Sequence, residues 1–291
     1  MFLVTIIWGI NSIAVKDALG RFLPLQFNVI RLGLAAVLLL LVMRVSGKWE
    51  VPSRRDWPMV VFAGFLGNTL YQFMFIKGIA MSSATNTSFV LATMPATTSV
   101  LSHLMGRQRM TARMWSGVLL TMAGVAGIVL GGGRLAGLKA GTLAGDLTTL
   151  GGTAGWCLCT IYASDLTKRM SPTAYTAWTM VSGAVLLAPL SIGDMASASW
   201  SSIPARNWGE LVFSASVALV FSYILWNKGV MESGPASTAV FSNLTPIWTG
   251  FFGWLLLHES WTVLKLAGAA IILTGVSLFS APKVERKVEH A

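Results

Sequence analysis

The chain has 291 residues, 54% of them hydrophobic and 11% charged, with a mean hydropathy of +0.68. Soluble domains carry about 25% charged residues, so this chain cannot cover a water-facing surface and reads as an all-α integral membrane protein. The net charge of +10 does not indicate nucleic acid, because the Lys and Arg residues fill short gaps between apolar runs and form no basic stripe with interleaved aromatics.

A membrane-spanning helix needs about 20 apolar residues, and ten segments are predicted on that basis. Helix 1 covers about residues 2–18 and helix 2 about 24–45, opened by Pro24 at a position that suits a helix start. The run at Phe2 has no basic stretch before it and is read as a first span, not a signal peptide, allowing for a few residues ahead of Met1. Helices 3, 4 and 5 cover about 57–76, 83–105 and 111–130, the last stopped by Gly131-Gly132-Gly133. Helices 6 to 10 cover about 145–165, 172–192, 208–227, 235–257 and 261–280.

The segment from Lys77 to Val125 returns 151 residues later. Lys77-Gly78 recurs as Lys228-Gly229, Pro95 as Pro246, Thr111 as Thr262, Gly117 as Gly268 and Gly124 as Gly275. Proline and glycine punctuate a backbone, so the match marks a repeated architecture. Further forward, Trp8 pairs with Trp156 and Pro24 with Pro172 at an offset of 148. The expected division is a first repeat over 1–133, a linker over 134–141, a second repeat over 142–281 and a tail over 282–291. Five helices per repeat is an odd number, so the second repeat enters the membrane from the opposite side. The fold expected is two inverted five-helix repeats, a plan that places a substrate site between them near the midplane. With the N-terminus inside, inner loops and the tail carry thirteen Lys and Arg and outer loops seven, which sets both termini in the cytoplasm.

Several polar and aromatic residues share helix faces. Asn68, Tyr71, Gln72 and Phe75 follow i, i+3, i+4, i+7 spacing. Ser222, Tyr223 and Trp226 stand at the matching positions of helix 8. Trp8 and Asn11 face inward from helix 1, Trp156 from helix 6, Asn86 from helix 4 and Asn243 from helix 9. Together they describe a cavity for an uncharged or zwitterionic small molecule, the competing reading being ordinary interhelical glue. Pro95 and Pro246 lie within helices 4 and 9, where a proline removes a backbone hydrogen bond, and they are paired candidates for gates. Arg31 is the one basic residue within a span, which is a functional candidate by default unless it snorkels to the surface.

No Asp or Glu falls mid-span, and no nucleotide loop, metal motif or catalytic set stands out, so no enzyme, metal or cofactor is expected. Cys157 and Cys159, two apart on one helix, cannot face each other and read as packing residues. Helices 5 and 10, rich in glycine, are assigned to packing within the bundle or between subunits of a homodimer.

These residues resemble the drug/metabolite transporter superfamily, of the type with two EamA domains. The resemblance rests on Trp8-Gly9-x-Asn11, on Pro24 with Arg31, on Lys77-Gly78 leading to Pro95, and on His258-Glu259-Ser260-Trp261-Thr262 ahead of Gly268 and Gly275. The first copy reads Arg107-Gln108-Arg109-Met110-Thr111 and lacks the glutamate, and Thr179 stands where Arg31 would be repeated. The resemblance implies a ten-helix basket with helices 1, 3, 4, 6, 8 and 9 around a central cavity and helices 5 and 10 outside it. It also implies export of amino acids or similar metabolites across a cell inner membrane by alternating access. An anion or sugar-nucleotide exchanger built on Arg31 is the alternative, and a non-transporting scaffold or sensor with a filled interior is a third.

Overall fold

A computed structural model describes residues 1–107, 109–131, 140–258 and 262–280, and the described residues are helical with no strand. Gln108, Glu259, Ser260, Trp261, most of the linker and the tail lie outside them.

Helix α1 spans Phe2–Ala18 and α2 spans Pro24–Val45. Pro24 stands in the first turn of α2, where its missing N–H costs nothing, and Gln26 Oε1 accepts the Leu23 N–H at 3.0 Å. Helix α3 runs Trp57–Met81 with a π-helical stretch at Phe65–Leu70. Helix α4 comes in two pieces, Ala84–Leu91 and Met94–Leu104, capped at its start by the Ser83 hydroxyl, which accepts the Asn86 N–H. Helices α5 and α6 cover Ala112–Gly131 and Ala140–Leu166. Helix α7 covers Pro172–Ala196 and α8 covers Ala205–Ser233, with a second π stretch at Ser214–Phe221. Helix α9 is Pro235–Leu257 with a 3-10 turn at Phe241–Leu244, and α10 is Val263–Ser280. Gly234 joins α8 to α9 at φ 81°, a left-handed turn that favours glycine.

The two prolines act differently from simple kinks. In both repeats the regular helix yields just before the proline, at Ala92–Thr93 in α4 and at Phe241–Leu244 in α9. A new helical piece then begins with Pro95 or Pro246 in its first turn. The chain thereby places each proline where no intrahelical N–H is needed.

Polar side chains are buried and large apolar ones exposed. Arg31, Asn28, Gln26, Gln72 and Asn68 are at most 2% exposed, whereas Val263 is 83% and Trp254 and Leu256 are 56% exposed. An apolar outer surface with polar side chains turned inward suits hydrocarbon. Five of the described helices are long and apolar enough to cross a membrane: α2, α3, α7, α8 and α9. Of the others, α1 has 17 residues, α4 is broken, and α6 is diluted by glycine and threonine.

The halves interlock, with α3 against α6 and α7, α2 against α7 and α8, and α1 against α9. Glycines permit the closest approaches. A Cβ added at Gly78 would lie 2.8 Å from the Gly145 carbonyl, and one at Gly145 would lie 2.7 Å from the Gly78 carbonyl. Helices α5 and α10 pair with each other. A Cβ at Gly124 would meet the Gly268 carbonyl at 2.8 Å, and one at Gly275 the Gly117 carbonyl at 2.7 Å. Their small residues are thus used for contact within one chain.

Candidate functional site

A narrow cavity of about 50 Å³, measured as space open to the centre of a water molecule, lies where α1, α2, α3, α4, α6, α8 and α9 converge. Its lining contains residues paired by the repeat. Trp8 faces Trp156, and Gln72, Leu91 and Met94 have their counterparts in Tyr223, Ser242 and Thr245 at the 151 offset. Asn11, Ser12, Arg31, Tyr71, Phe75, Ala218 and Leu219 complete it.

Arg31 projects into the bundle and does not snorkel. It donates from Nη2 to Gln72 Oε1 at 2.6 Å and Asn28 Oδ1 at 2.7 Å, and from Nη1 to Ser214 Oγ at 3.1 Å. Its guanidinium carbon sits 5.4 Å from the Phe27 ring centre, within cation–π range. Gln72 Nε2 in turn donates to Tyr223 Oη at 2.7 Å, tying α3 to its repeat partner α8.

The opposite wall is aromatic. Trp156 lies 5.2 Å from Tyr71, 4.9 Å from Tyr223 and 5.9 Å from Trp8, centroid to centroid. Trp226 backs Trp8 at 5.0 Å. Trp8 Nε1 donates to the Ala218 carbonyl at 3.2 Å, inside the second π stretch. Four buried polar atoms on the lining residues find no protein partner: Asn11 Oδ1, Arg31 Nε, Trp156 Nε1 and Thr245 Oγ1. Such groups are costly in a dry core and suit a space that receives a polar guest or water.

Trp8, Asn11, Tyr71, Gln72, Trp156, Tyr223 and Arg31 are therefore brought together, with Trp226 directly behind. The structure places the others elsewhere. Asn68 packs on Gly183 of α7, whose added Cβ would lie 2.2 Å from the Asn68 Cβ. The π stretch is the reason. One inserted residue rotates the rest of the helix by about 100°, so Asn68 leaves the face that Tyr71, Gln72 and Phe75 keep. Ser222 bonds back to the Val217 carbonyl at 3.0 Å. Asn86 reaches Asp146 Oδ2 at 3.5 Å, and Asn243 lines an apolar groove with Pro246, Phe251 and Leu273. Asn86 lies ahead of the break in α4 and Asn243 within the break in α9, and neither lines the cavity. Ser214, Met94 and Thr245 are not among the residues expected from sequence. The signal for the last two was present, since they are repeat partners adjacent to the prolines.

Ion pairs between the halves close both ends of the bundle. Arg107 meets Asp165 at 2.6 Å, and Arg169 donates to Asp56 at 2.7 Å. Arg206 meets Asp17 at 3.0 Å. Asp56 precedes α3, whereas Lys16, beside Asp17, donates to carbonyls at the far end of α3, including Ile79 O at 2.8 Å. The two sets are thus separated by the length of α3, about 37 Å at 1.5 Å per residue. A hydrogen bond from Ser53, and then the charge and hydrogen bond of Arg169, hold the Asp56 carboxyl below its usual pKa. Among the described residues no group of three or more His, Cys, Asp or Glu is arranged to hold a metal.

An apolar-surfaced helical bundle with a cavity of aromatic and polar side chains between two sequence repeats defines a multi-pass membrane protein. Residues 1–130 and 143–281 each match the EamA-like transporter family, and the chain belongs to that family. It is 28% identical over 282 residues to the uncharacterized transporter YyaM of Bacillus subtilis, covering 95% of this chain and 92% of the relative. An uncharacterized transporter of Archaeoglobus fulgidus is 24% identical, covering 96% and 95%. A solved crystal structure shares the fold with a TM-score of 0.70 at 15% identity, over 96% of this chain and 95% of its own.

Proposed function

We propose that this chain is a secondary transporter, not an enzyme, that exports small neutral or zwitterionic, amino-acid-like metabolites by alternating access. In this reading its ten helices form two inverted five-helix repeats in a cell inner membrane, with both termini cytoplasmic, and it acts without a cofactor as a monomer or homodimer. The observation that carries it is the cavity lined by repeat-related residues from both halves, with polar atoms that no protein group satisfies. Such a cavity disfavours the filled interior of a scaffold. The ion pairs at either end of α3 supply contacts that a rocking motion would break in turn.

The helix breaks before Pro95 and Pro246 are the hinges of this motion. In proteoliposomes holding the purified chain, counterflow of a zwitterionic metabolite panel is expected to exceed that of empty vesicles. Pro95→Ala with Pro246→Ala is expected to slow it at least several-fold, by restoring continuous helix at both breaks. Flux unchanged in the double variant would remove the prolines from the gate, and no flux of any panel member would remove the transport reading.

A further inference from the structure

Arg31 presents an unbalanced charge. Its three acceptors, Asn28 Oδ1, Gln72 Oε1 and Ser214 Oγ, are all neutral, and none of the described ion pairs involves it. Neutral acceptors orient a guanidinium but do not offset its charge, and a buried unpaired cation carries a large desolvation cost. It is also the one charged side chain on the cavity wall among the described residues. Within the same lining, Trp156 Nε1 is a second N–H without a protein acceptor.

From these two donors and the aromatic wall we infer that the cargo is a monocarboxylate with a flat apolar body. Its carboxylate sits on Arg31, and its body lies against Trp8, Tyr71 and Trp156. This rests on the reading of the cavity as the cargo site, and it narrows that reading from any small neutral or zwitterionic molecule to one that must bear an acid group. An amino group is accepted but not required: the cavity lining holds no carboxylate, and Asn11 Oδ1 is an unused acceptor for one N–H. A dianionic phosphate would leave net negative charge against a single guanidinium, so one negative charge is the match. The cavity is too narrow for the whole cargo, and binding opens it.

The test is binding to the purified full chain in detergent or nanodiscs, read by tryptophan fluorescence and by calorimetry. Four probes share a phenyl ring: phenylacetate, phenylalanine, phenylalaninamide and phenethylamine, with phenyl phosphate as a fifth. Phenylacetate and phenylalanine are expected to bind about tenfold or more tightly than the amide and the amine, the scale of a charge-assisted hydrogen bond. Arg31→Gln is expected to erase that preference and Arg31→Lys to restore part of it. The wild-type series stands alone if Arg31→Gln misfolds. Equal binding of phenylalanine and its amide, tighter binding of phenyl phosphate, or no binding by any probe would overturn the inference. Carboxylate-selective binding without flux in vesicles would uphold it while removing the transport reading. Equal flux of acid and amide would do the reverse.

Discussion

Arg31 in α2 and Thr179 in α7 occupy corresponding places in the two halves, 148 residues apart, yet their surroundings differ in kind. Arg31 reaches out of its helix to α3 and α8 and borders the cavity. Thr179 turns inward, donating to the Tyr175 carbonyl of its own helix at 2.7 Å. The position matching Asn28 is Thr176, whose hydroxyl accepts from Asn227 Nδ2 at 2.8 Å. Tyr175 Oη donates to the Cys159 carbonyl at 3.0 Å. One half holds a charged cluster open to the cavity, and the other a neutral cluster closed on itself. Duplication has kept the backbone in two copies and the charge in one.

The sharpest way to break this comparison is to strike both clusters. Gln72→Leu removes the shortest acceptor of Arg31 and the donor to Tyr223 Oη. With a charged group left short of a partner, the expected loss is about 2–4 kcal/mol. Thr179→Val removes a bond within one helix and is expected to cost under about 1 kcal/mol. Thermal unfolding in one detergent measures both, and equal losses would mean that the charged cluster has no special standing.

A second pair compares packing. Gly78 and Gly229 are repeat partners, but a Cβ at Gly78 would come 2.1 Å from Thr149 Oγ1 and 2.8 Å from a backbone carbonyl. At Gly229 the nearest atom is Met1 Sδ at 3.0 Å, the far end of a flexible side chain. Gly78→Ala is expected to cost about 1–3 kcal/mol by overpacking, and Gly229→Ala to change stability within about 0.5 kcal/mol. A reversed order in the same unfolding assay would show that the halves pack alike after all.

The smallest effect concerns the end of the bundle at Asp56. Its carboxyl is held below the usual range, so the folded state binds its proton less readily than the unfolded chain. The stability this contributes is full above the ordinary Asp value, about pH 4, and is lost as pH falls through the lowered folded value. An unfolding midpoint measured from about pH 6 downward should fall more steeply below about pH 4 in the native chain than in Asp56→Asn. Identical acid limbs would sever Asp56 from the seam.

Much of this was legible in the sequence because proline and glycine act locally. Pro24, Pro172 and Pro235 open helices where expected, and the 151 offset that exposed the repeat also pairs Gln72 with Tyr223 across the cavity. The displacement of Asn68 was not legible. A π stretch is a slip in backbone hydrogen bonding, and nothing in Phe65–Leu70 announces it, so a face counted at 3.6 residues per turn wrongly kept Asn68. Nor does the sequence around Arg31 tell its depth. Eight residues into a helix suggests the surface, but α8 and α3 close over it, and only the packed bundle shows that.

The chain has two cysteines, both reduced and both buried in α6. Cys157 Sγ lies 3.5 Å from the Met94 carbonyl, beside the break in α4, and Cys159 Sγ lies 3.2 Å from Tyr175 Oη. A thiol-alkylating reagent therefore meets no reactive group until α6 parts from the helices that cover it. The rate at which the unaltered chain takes up such a label reports on those partings, with no engineered reporter needed.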